Sequence, residues 1–421
     1  MFPLYTTIED ANKGNGQTAH HSPGASRVCN AGNNGNFWSS TPDGAVNAYN
    51  RNLNCNNTGF YENYEGRSNG FSVRLLKDST IRVLDKRTLF SMLREAYLAA
   101  RKSKRNTPSQ LKFERNLDIN LARLADELYG RTWKPSRCLV FIIEDPVKRE
   151  VVAADFRDRI VHHLLSSWLY PIFERLLIHD AYSCRKEKGT LFGINRIRRF
   201  CRAESHDYSE QCYALKLDIK GFFMHIDKDI LYSLITDGLD RGEYAGIPDI
   251  ELCQYMIREI VFSNPIDDAI YRSPPCAWAD LPRDKSLRYS GPNKGLPIGN
   301  LTSQLFANVY LNPLDHYIKR ELKIHFYGRY VDDMVLVHRD RNLLKSAIPK
   351  IRQFLADTLE LELHPRKIQL QSVYHGFEFL GAYILPWRVY PGRRMRKKLA
   401  KGIDAVAYNG ILCHLNGTGI Y

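Results

Sequence analysis

Adjacent carboxylates interrupt an otherwise apolar stretch of the sequence. Asp332 and Asp333 follow Tyr330 and Val331, and the apolar run 334–337 (MVLV) comes directly after them. Two β-prone stretches broken in this way are typical of a hairpin that presents acids at its turn. Neighbouring aspartates repel each other there unless a cation lies between them. The string indicates a cation site, although four residues of this kind also recur by chance.

A third acid ends a separate β-prone run, residues 215–220 (LKLDIK), which delivers Asp218. Phosphoryl transfer from a nucleotide needs two divalent ions about 4 Å apart. Such ions prefer carboxylate oxygens, so we predict two Mg²⁺ ions, with Mn²⁺ as the alternative, bound by Asp218, Asp332 and Asp333. The competing interpretation of Asp218 is a strand-end acid that caps the following turn.

The acids lie within an alternation of helical and extended patterns. Apolar residues recur at helical spacing over 89–100, 117–128 and 157–177, and short β-prone runs occupy 138–144, 213–219, 325–338 and 376–384. Gly130 is expected to end the second helix as a left-handed C′ residue. Helices around a small sheet predict an α+β fold.

The charge indicates a polyanionic partner. The chain of 421 residues has a net charge of +14, of which residues 1–77 carry only +1 and residues 78–421 carry +13. Nucleic acid is the first candidate, and a basic surface that serves solubility is the alternative.

Cysteine usage and hydropathy indicate the compartment. Nine cysteines without a C-x-x-C pair argue against a zinc ribbon and a disulfide framework. No apolar run approaches the roughly 18 residues of a membrane span, and the N-terminus lacks the pattern of a signal peptide. We therefore expect a cytoplasmic protein with no membrane partner.

The first part of the chain differs in composition. Twelve Asn residues fall between Asn30 and Asn69, in a segment that is also rich in Gly and Ser. These residues favour turns over long helices and strands, so a poorly ordered leader is expected over residues 1–80.

The two acid-bearing segments resemble motifs A and C of the reverse transcriptase palm, and the likeness covers roughly residues 85–390 in the right order. It implies a right-hand polymerase fold with fingers, a palm and a short or truncated helical thumb. It also implies an RNA-directed DNA polymerase that uses template RNA, a DNA or cDNA primer and deoxynucleoside triphosphates. The implied boundaries are a leader over 1–80, N-terminal helices and fingers over 81–215, a palm over 216–385 and a partial thumb over 386–421.

Further motifs extend the resemblance. Arg149 resembles the fingers arginine that grips the triphosphate, and Gly299, within residues 295–300 (GLPIGN), resembles the motif B glycine at the nascent pair. Lys367 resembles the motif D lysine, a candidate general acid for the pyrophosphate leaving group. Phe223 stands where reverse transcriptases place a steric gate against the ribose 2′ hydroxyl, and Phe222 is the better candidate for the core.

The C-terminal cations resemble the start of a thumb helix. They are Arg393, Arg394, Arg396, Lys397 and Lys398, and we expect them to contact the backbone of the template–primer duplex. A solvated charged face is the alternative.

Motif B narrows the resemblance. Most reverse transcriptases carry Gln where this chain has Ile298 and Pro where it has Gln304; residues 295–315 are similar to the enzymes of diversity-generating retroelements. Those enzymes copy a template-repeat RNA into cDNA with errors opposite adenine, and work with an accessory variability protein oligomer. Without the polar contact of Gln, selection of the incoming nucleotide should depend more on the shape of the base pair.

The leader supports the same assignment. Residues 30–77 resemble the variable, lectin-like end of retroelement target proteins, although about 50 residues is too short for a complete lectin fold. We interpret them as a template repeat read in frame, with a fused display module as the alternative.

Two other functions stay open at this point. One is a polymerase of the group II intron or retron type, and the other is a catalytically silent RNA-binding protein on a polymerase scaffold. Clustered, mutually repelling carboxylates argue against the silent scaffold.

Overall fold

The protein is described by a computed structural model, which covers residues 84–102, 105–144 and 147–400 in full and the backbone of residues 34–43, 47–54 and 60–66. The chain divides into two compact units, Met1–Ile81 and Arg82–Tyr421.

In the first unit, an antiparallel sheet is formed by β1 (Asn34–Asp43), β2 (Asn47–Asn54) and β3 (Phe60–Gly66). Asn and Gly do not favour strands. The three strands are nevertheless paired through backbone hydrogen bonds, for which every residue except proline supplies both a donor and an acceptor. The rest of the predicted leader lies outside the described residues, and its role stays a prediction.

The second unit contains eleven α-helices in its described part. They are α1 (Lys86–Arg101), α2 (Pro108–Glu114), α3 (Leu117–Tyr129), α4 (Phe156–Leu176), α5 (Thr190–Glu204), α6 (Phe222–His225), α7 (Lys228–Arg241), α8 (Ile250–Val261), α9 (Leu301–His316), α10 (Arg341–Leu359) and α11 (Arg393–Ala400). The predicted helices over 89–100, 117–128 and 157–177 are confirmed as α1, α3 and α4. The end of α3 at Gly130 is confirmed, but Gly130 is not the left-handed residue: it caps the helix with φ −78°, and Arg131 takes the left-handed φ of +56°.

Ten strands accompany these helices in the described part of the second unit. They are β4 (Leu139–Ile143), β5 (Arg149–Ala153), β6 (Tyr213–Leu217), β7 (Ile270–Tyr271), β8 (Tyr327–Tyr330), β9 (Asp333–His338), β10 (Gln369–Ser372), β11 (Phe377–Phe379), β12 (Ala382–Leu385) and β13 (Arg388–Pro391). All four predicted β-prone runs contain observed strands, and the α+β fold class is confirmed.

A four-stranded antiparallel sheet of order β10-β6-β9-β8 forms the centre of this unit. Alternate residues of β6 and β9 point to opposite faces. One set, Leu215, Leu217, Met334 and Leu336, joins the large helical core, and the other set, Ala214, Val335 and Val337, joins a second cluster. Because both faces are buried, the strand after the paired acids is apolar without interruption.

Two smaller sheets flank the centre. β4 pairs with β5 in antiparallel fashion and with β7 in parallel, while β11, β12 and β13 form an antiparallel meander followed by α11. None of the described helices is long and apolar enough to cross a membrane. Residues 401–421 of the predicted thumb lie outside the described part of the chain, so a short or truncated thumb stays a prediction.

Candidate active site

Pairing of β6 with β9 brings the predicted acids together. Leu217 lies opposite Met334 in the antiparallel register. Asp218 and Asp333, the next residue along each strand, therefore fall side by side at one end of the sheet. Asp332 occupies the two-residue turn between β8 and β9.

Asp332 is the carboxyl whose ionisation is disfavoured in this arrangement. Burial, followed by the charges of Asp218 and Asp333, raises the pKa of the Asp332 carboxyl to about 7, and the Lys367 ammonium opposes the rise. A half-buried carboxylate between two others is costly to ionise. The site therefore favours either a proton or a cation at Asp332.

Two lysines pair with the other carboxylates. Lys367 Nζ donates to both carboxylate oxygens of Asp218 at 2.9 Å, and Lys216 Nζ lies 3.4 Å from Asp333 Oδ1. No three His, Cys, Asp or Glu side chains converge as a metal-ligand cluster within the described ranges. The structure thus shows these two carboxylates paired with ammonium groups, and metal coordination by the three aspartates stays a prediction.

The segment that carries Lys367 is tied to the end of β6 by backbone hydrogen bonds. Lys220 N donates to Glu362 O at 2.9 Å, and His364 N donates to Asp218 O at 2.8 Å. These bonds hold the segment against the carboxylate it neutralises. The segment that resembles motif D is therefore hydrogen-bonded to the end of the strand that resembles motif A.

The turn between β8 and β9 has a strained backbone. Val331 adopts φ +55°, a left-handed conformation that costs a β-branched residue about 1–2 kcal/mol. Two side chains hold it there: Val331 N donates to Ser183 Oγ at 3.2 Å, and Arg329 Nη1 donates to Val331 O at 2.9 Å. The position of Asp332 therefore depends on side chains outside the hairpin turn.

Arg329 is held by a buried ion pair. Its Nε and Nη2 donate to Asp315 Oδ1 at 2.8 Å and Oδ2 at 2.6 Å, and both side chains are fully buried. Burial alone would lower the pKa of the Arg329 guanidinium, but the Asp315 carboxylate outweighs it and the net shift is upward. Asn308 Oδ1 accepts from Arg329 Nη1 at 3.3 Å and from Ser183 Oγ at 3.2 Å. This buried network joins α9 to the turn that carries Asp332.

The segment that resembles motif B is hydrogen-bonded to β5. Val152 N donates to Ile298 O at 3.0 Å, and Ala154 N donates to Asn300 Oδ1 at 3.2 Å. Gly299 has φ +128°, and a Cβ at this position would lie 3.1 Å from Val152 O. Among the described residues, the close approach at this glycine is thus to β5. The predicted approach to a nascent base pair stays a prediction.

Phe223 and Ile298 share one apolar surface. Phe222 is 2% exposed in the large core, as expected, whereas Phe223 is only partly buried. Phe223 and Ile298 both pack against the small cluster of Cys138, Val140, Val152, Met224 and Leu287. Leu296 N donates to Phe223 O at 2.7 Å, which links motif B to motif A.

The remaining predicted residues lie on three other elements. Arg149 is exposed at the start of β5, and Gln304 is exposed on α9. Arg393, Arg394, Arg396, Lys397 and Lys398 lie on α11. Helix α11 follows β13, and Arg393 N donates a hydrogen bond to the Glu378 carboxylate on β11. The helix that carries these cations is therefore attached to the β11–β13 sheet and not to the strands that carry the acids.

The matched sequence pattern decides the family. The family model for reverse transcriptase (RNA-dependent DNA polymerase) matches residues 147–384, more than half of the chain, and this range contains all three aspartates. The chain belongs to the reverse transcriptase family. Its α+β architecture is accordingly that of a right-hand polymerase.

This reverse transcriptase is distantly similar to solved structures of telomerases. They include a Candida albicans telomerase in complex with a TWJ fragment of telomeric RNA, at 10% identity and a TM-score of 0.43 over 62% of this chain and 47% of that chain. An apo telomerase from Candida tropicalis truncated from its C-terminal domain gives 13% identity and 0.43 over 61% of this chain and 55% of that chain. The chain spans about half the length of the telomerase chains it matches. No curated protein sequence matches it.

Reverse transcriptase domains generally use divalent metal ions. The donor set fits such an ion, because Asp218, Asp332 and Asp333 supply hard oxygen ligands and Asp332 is held next to two like charges that a cation would compensate. These three residues would hold the metal.

Replacing Lys367 with Arg separates proton donation from charge pairing. A guanidinium can keep the ion pair with Asp218 but cannot release a proton near neutral pH. If Lys367 protonates the leaving group, Lys367→Arg lowers kcat about 10²-fold, much as Lys367→Ala does, with little change in KM. Near-normal kcat for Lys367→Arg would assign the residue to charge pairing alone. Lys220→Arg, at the exposed pair with Glu362, is the matched control in single-nucleotide extension.

Sequence reasoning missed the residues that position the turn. Lys216 could have been found, since it stands two residues before Asp218 on the same face of β6. Ser183, Asn308 and Asp315 give no local signal, because each is defined by a contact with a distant part of the chain.

Proposed function

We propose that this reverse transcriptase synthesises DNA on an RNA template, with Asp218, Asp332 and Asp333 at the reaction centre. The observation that carries the proposal is the strand register that places these acids at one end of the sheet, inside the matched family range. Bound divalent metal would activate the primer hydroxyl and neutralise the triphosphate.

The other side chains then have defined tasks. Arg149, exposed at the start of β5, binds the triphosphate, and Lys367 gives a proton to the leaving pyrophosphate. The buried pair of Arg329 and Asp315 keeps Asp332 in place.

Primer extension tests this activity. Purified protein with a DNA primer on an RNA template, deoxynucleotides and Mg²⁺ should give extended product, and EDTA should abolish it. Absence of product from the folded wild-type protein with Mg²⁺ or Mn²⁺ would contradict the proposal.

Truncating Phe223 should relax sugar selection. The ring is partly buried on the apolar surface beside motif B, so Phe223→Ala leaves space where a ribose 2′ hydroxyl would otherwise clash. We expect kcat/KM for ribonucleotides to rise about 10-fold or more relative to deoxynucleotides. The measurement is the ratio of ribo- to deoxynucleotide incorporation, with Phe223→Tyr as the control that keeps the ring. An unchanged ratio for Phe223→Ala would place the gate elsewhere.

We further propose that the enzyme is of the diversity-generating retroelement type and copies template-repeat RNA into adenine-mutagenised cDNA. The supporting observation is Ile298, whose apolar side chain packs with Phe223 against the same small cluster. An apolar side chain offers no hydrogen bond to a base pair or nucleotide, so mispairs of similar shape are rejected less strongly.

Restoring Gln at position 298 should raise fidelity. Ile298→Gln is expected to lower misincorporation opposite adenine about 10-fold, with smaller changes opposite the other bases. Sequencing of cDNA made on a defined RNA template measures this, and Ile298→Leu is the matched apolar control. An error spectrum identical to wild type would contradict the proposed cause of low fidelity.

The same assignment implies partners and a genomic context. We propose a cytoplasmic enzyme that works with a basic accessory variability protein oligomer and returns its cDNA to a variable region. Flanking DNA that nearly repeats the codons for residues 30–77, with differences at adenines, would support this. A coding sequence with no such repeat nearby would favour the group II intron or retron type.

A further inference from the structure

The stretch between α8 and motif B carries exposed aromatic rings with arginines over their faces. Arg288 Cζ lies 4.4 Å from the Tyr271 ring centroid and 5.2 Å from that of Trp278. Arg283 Cζ lies 5.1 Å from the centroid of Tyr289. These five residues are called the aromatic–arginine platform. Tyr271 is 39% exposed, Tyr289 is 57% exposed, and both arginines face solvent.

The platform is anchored to the fingers sheet. Glu150, only 1% exposed, accepts hydrogen bonds from Trp278 Nε1 at 2.7 Å, Ser286 Oγ at 2.9 Å and Leu287 N at 2.9 Å. The short strand β7, which contains Tyr271, also pairs with β4. Trp278 and Tyr271, held in this way, lose little further conformational freedom when a ligand stacks on them.

The platform also adjoins the segments that surround the carboxylates. Asp284 O lies 2.7 Å from the position that a Cβ on Gly221 would take, and Gly221 follows Asp218 by three residues. At the other end of the stretch, Lys228 N donates to Asn293 O at 3.0 Å, just before motif B begins. Glu150 itself follows Arg149, so the anchored rings border the fingers, motif A and motif B together.

The chemistry of this surface suits unpaired bases. A guanidinium covers one face of each tyrosine ring, so a base of any sequence would stack on the opposite face, while the guanidinium keeps N–H donors for phosphates. Residues 271–294 carry five Lys or Arg and two Asp, which favours a polyanion over an apolar protein surface. A duplex hides its base faces within the stack, so the matching form of nucleic acid is single-stranded.

We propose that the aromatic–arginine platform binds the unpaired template RNA ahead of the reaction centre by base stacking. The inference rests on the proposed polymerase function, because it assigns the bound strand to the template. Tyr271 and Tyr289 supply the stacking faces, and Arg283 and Arg288 bind the phosphates between bases.

Overhang length gives a direct test. The dissociation constant is measured by fluorescence anisotropy, without nucleotides, for a primer–template duplex whose 5′ RNA overhang has either one or twelve nucleotides. Tyr271→Ala/Tyr289→Ala should weaken binding of the long overhang about tenfold and leave the short one unchanged. Tyr129→Ala, at an exposed tyrosine on α3, is the matched control and should change neither.

Two further arms isolate stacking. Tyr271→Phe/Tyr289→Phe keeps the rings and should retain wild-type affinity for the long overhang. An overhang of twelve abasic sites keeps the phosphates, and wild-type protein should bind it as weakly as the alanine variant binds the normal overhang. Equal weakening at both overhang lengths, or no weakening at all, would overturn the proposal, and the latter would leave a protein partner as the ligand of this surface. Because binding is measured without nucleotides, failure of the polymerase proposal would appear separately, as absence of primer extension.

Discussion

Replacing Asp332 with Asn is expected to lower the rate of primer extension about 10³-fold and, in metal-free buffer, to stabilise the fold. The stabilisation follows from the environment of this carboxyl. Burial and the neighbouring charges of Asp218 and Asp333 raise its pKa to about 7. Between about pH 4 and pH 7, Asp332 is therefore mostly protonated in the folded protein and mostly ionised in the unfolded chain.

The direction in which stability changes with pH follows from this raised pKa. The stabilising effect of the protonated carboxyl is complete below the unfolded pKa of about 4 and is lost as the pH rises through about 7. An amide cannot ionise, so Asp332→Asn escapes this loss. The free energy of unfolding of the variant should exceed that of wild type by about 1–3 kcal/mol at pH 8, and the two should agree near pH 4.

Denaturant unfolding with EDTA, repeated from pH 4 to pH 8, measures this difference. Adding Mg²⁺ should stabilise wild type more than the variant, because only a protein that binds the ion in its folded state gains from it. Asp118→Asn, at a carboxylate that is 73% exposed, is the control and should change neither activity nor the pH profile. A lower or unchanged unfolding midpoint for Asp332→Asn at pH 8 would contradict repulsion at this site.

Loss of Arg329 should destabilise the protein more than any surface substitution. Arg329→Met leaves Asp315 as an unpaired charge that is fully buried, and breaking such a pair costs about 3–5 kcal/mol. It also removes the hydrogen bond to Val331 O, so the strained turn loses one of its two supports. We therefore expect both a lower unfolding midpoint and a lower kcat.

A double variant separates these two effects. Arg329→Met/Asp315→Leu removes both charges and should recover part of the lost stability, since apolar residues can replace a buried ion pair at little cost, while the buried Tyr327 hydroxyl loses the acceptor it has in Asp315. The turn still lacks its donor, so kcat should stay low. Recovery of kcat together with stability would show that Arg329 has no part in positioning. Arg202→Met, at the exposed pair with Asp207, is the matched control and should leave the unfolding midpoint nearly unchanged.

The strands that carry the acids could be predicted closely from sequence. The run 213–219 contains β6 (Tyr213–Leu217), and the run 325–338 contains both strands of the β8–β9 hairpin. Adjacent acids between apolar β-prone residues are a local pattern, and local patterns can be recognised without knowledge of the rest of the fold.

Contacts between distant segments could not be predicted in this way. Lys367 meets Asp218 only because its segment pairs with the end of β6, whereas the resemblance to motif D suggested only a role as general acid for the leaving group. Likewise, the pairing of Arg329 with Asp315 requires α9 to pack under the hairpin. The left-handed conformation at Arg131 instead of Gly130 shows the same limit, because the guanidinium of Arg131 pairs with the carboxylate of Asp249, far away in the sequence, and such contacts override the residue preference at a helix end.

The bond between Val152 N and Ile298 O has a practical consequence for protein engineering. Both of its atoms belong to the backbone, so it needs no particular side chain at position 298. A library of all residues at that position would therefore vary the chemistry next to Phe223 while the hydrogen bond between motif B and β5 is preserved. If Ile298 sets the error rate as proposed, that rate would become an adjustable property of the enzyme, selected by screening at one codon.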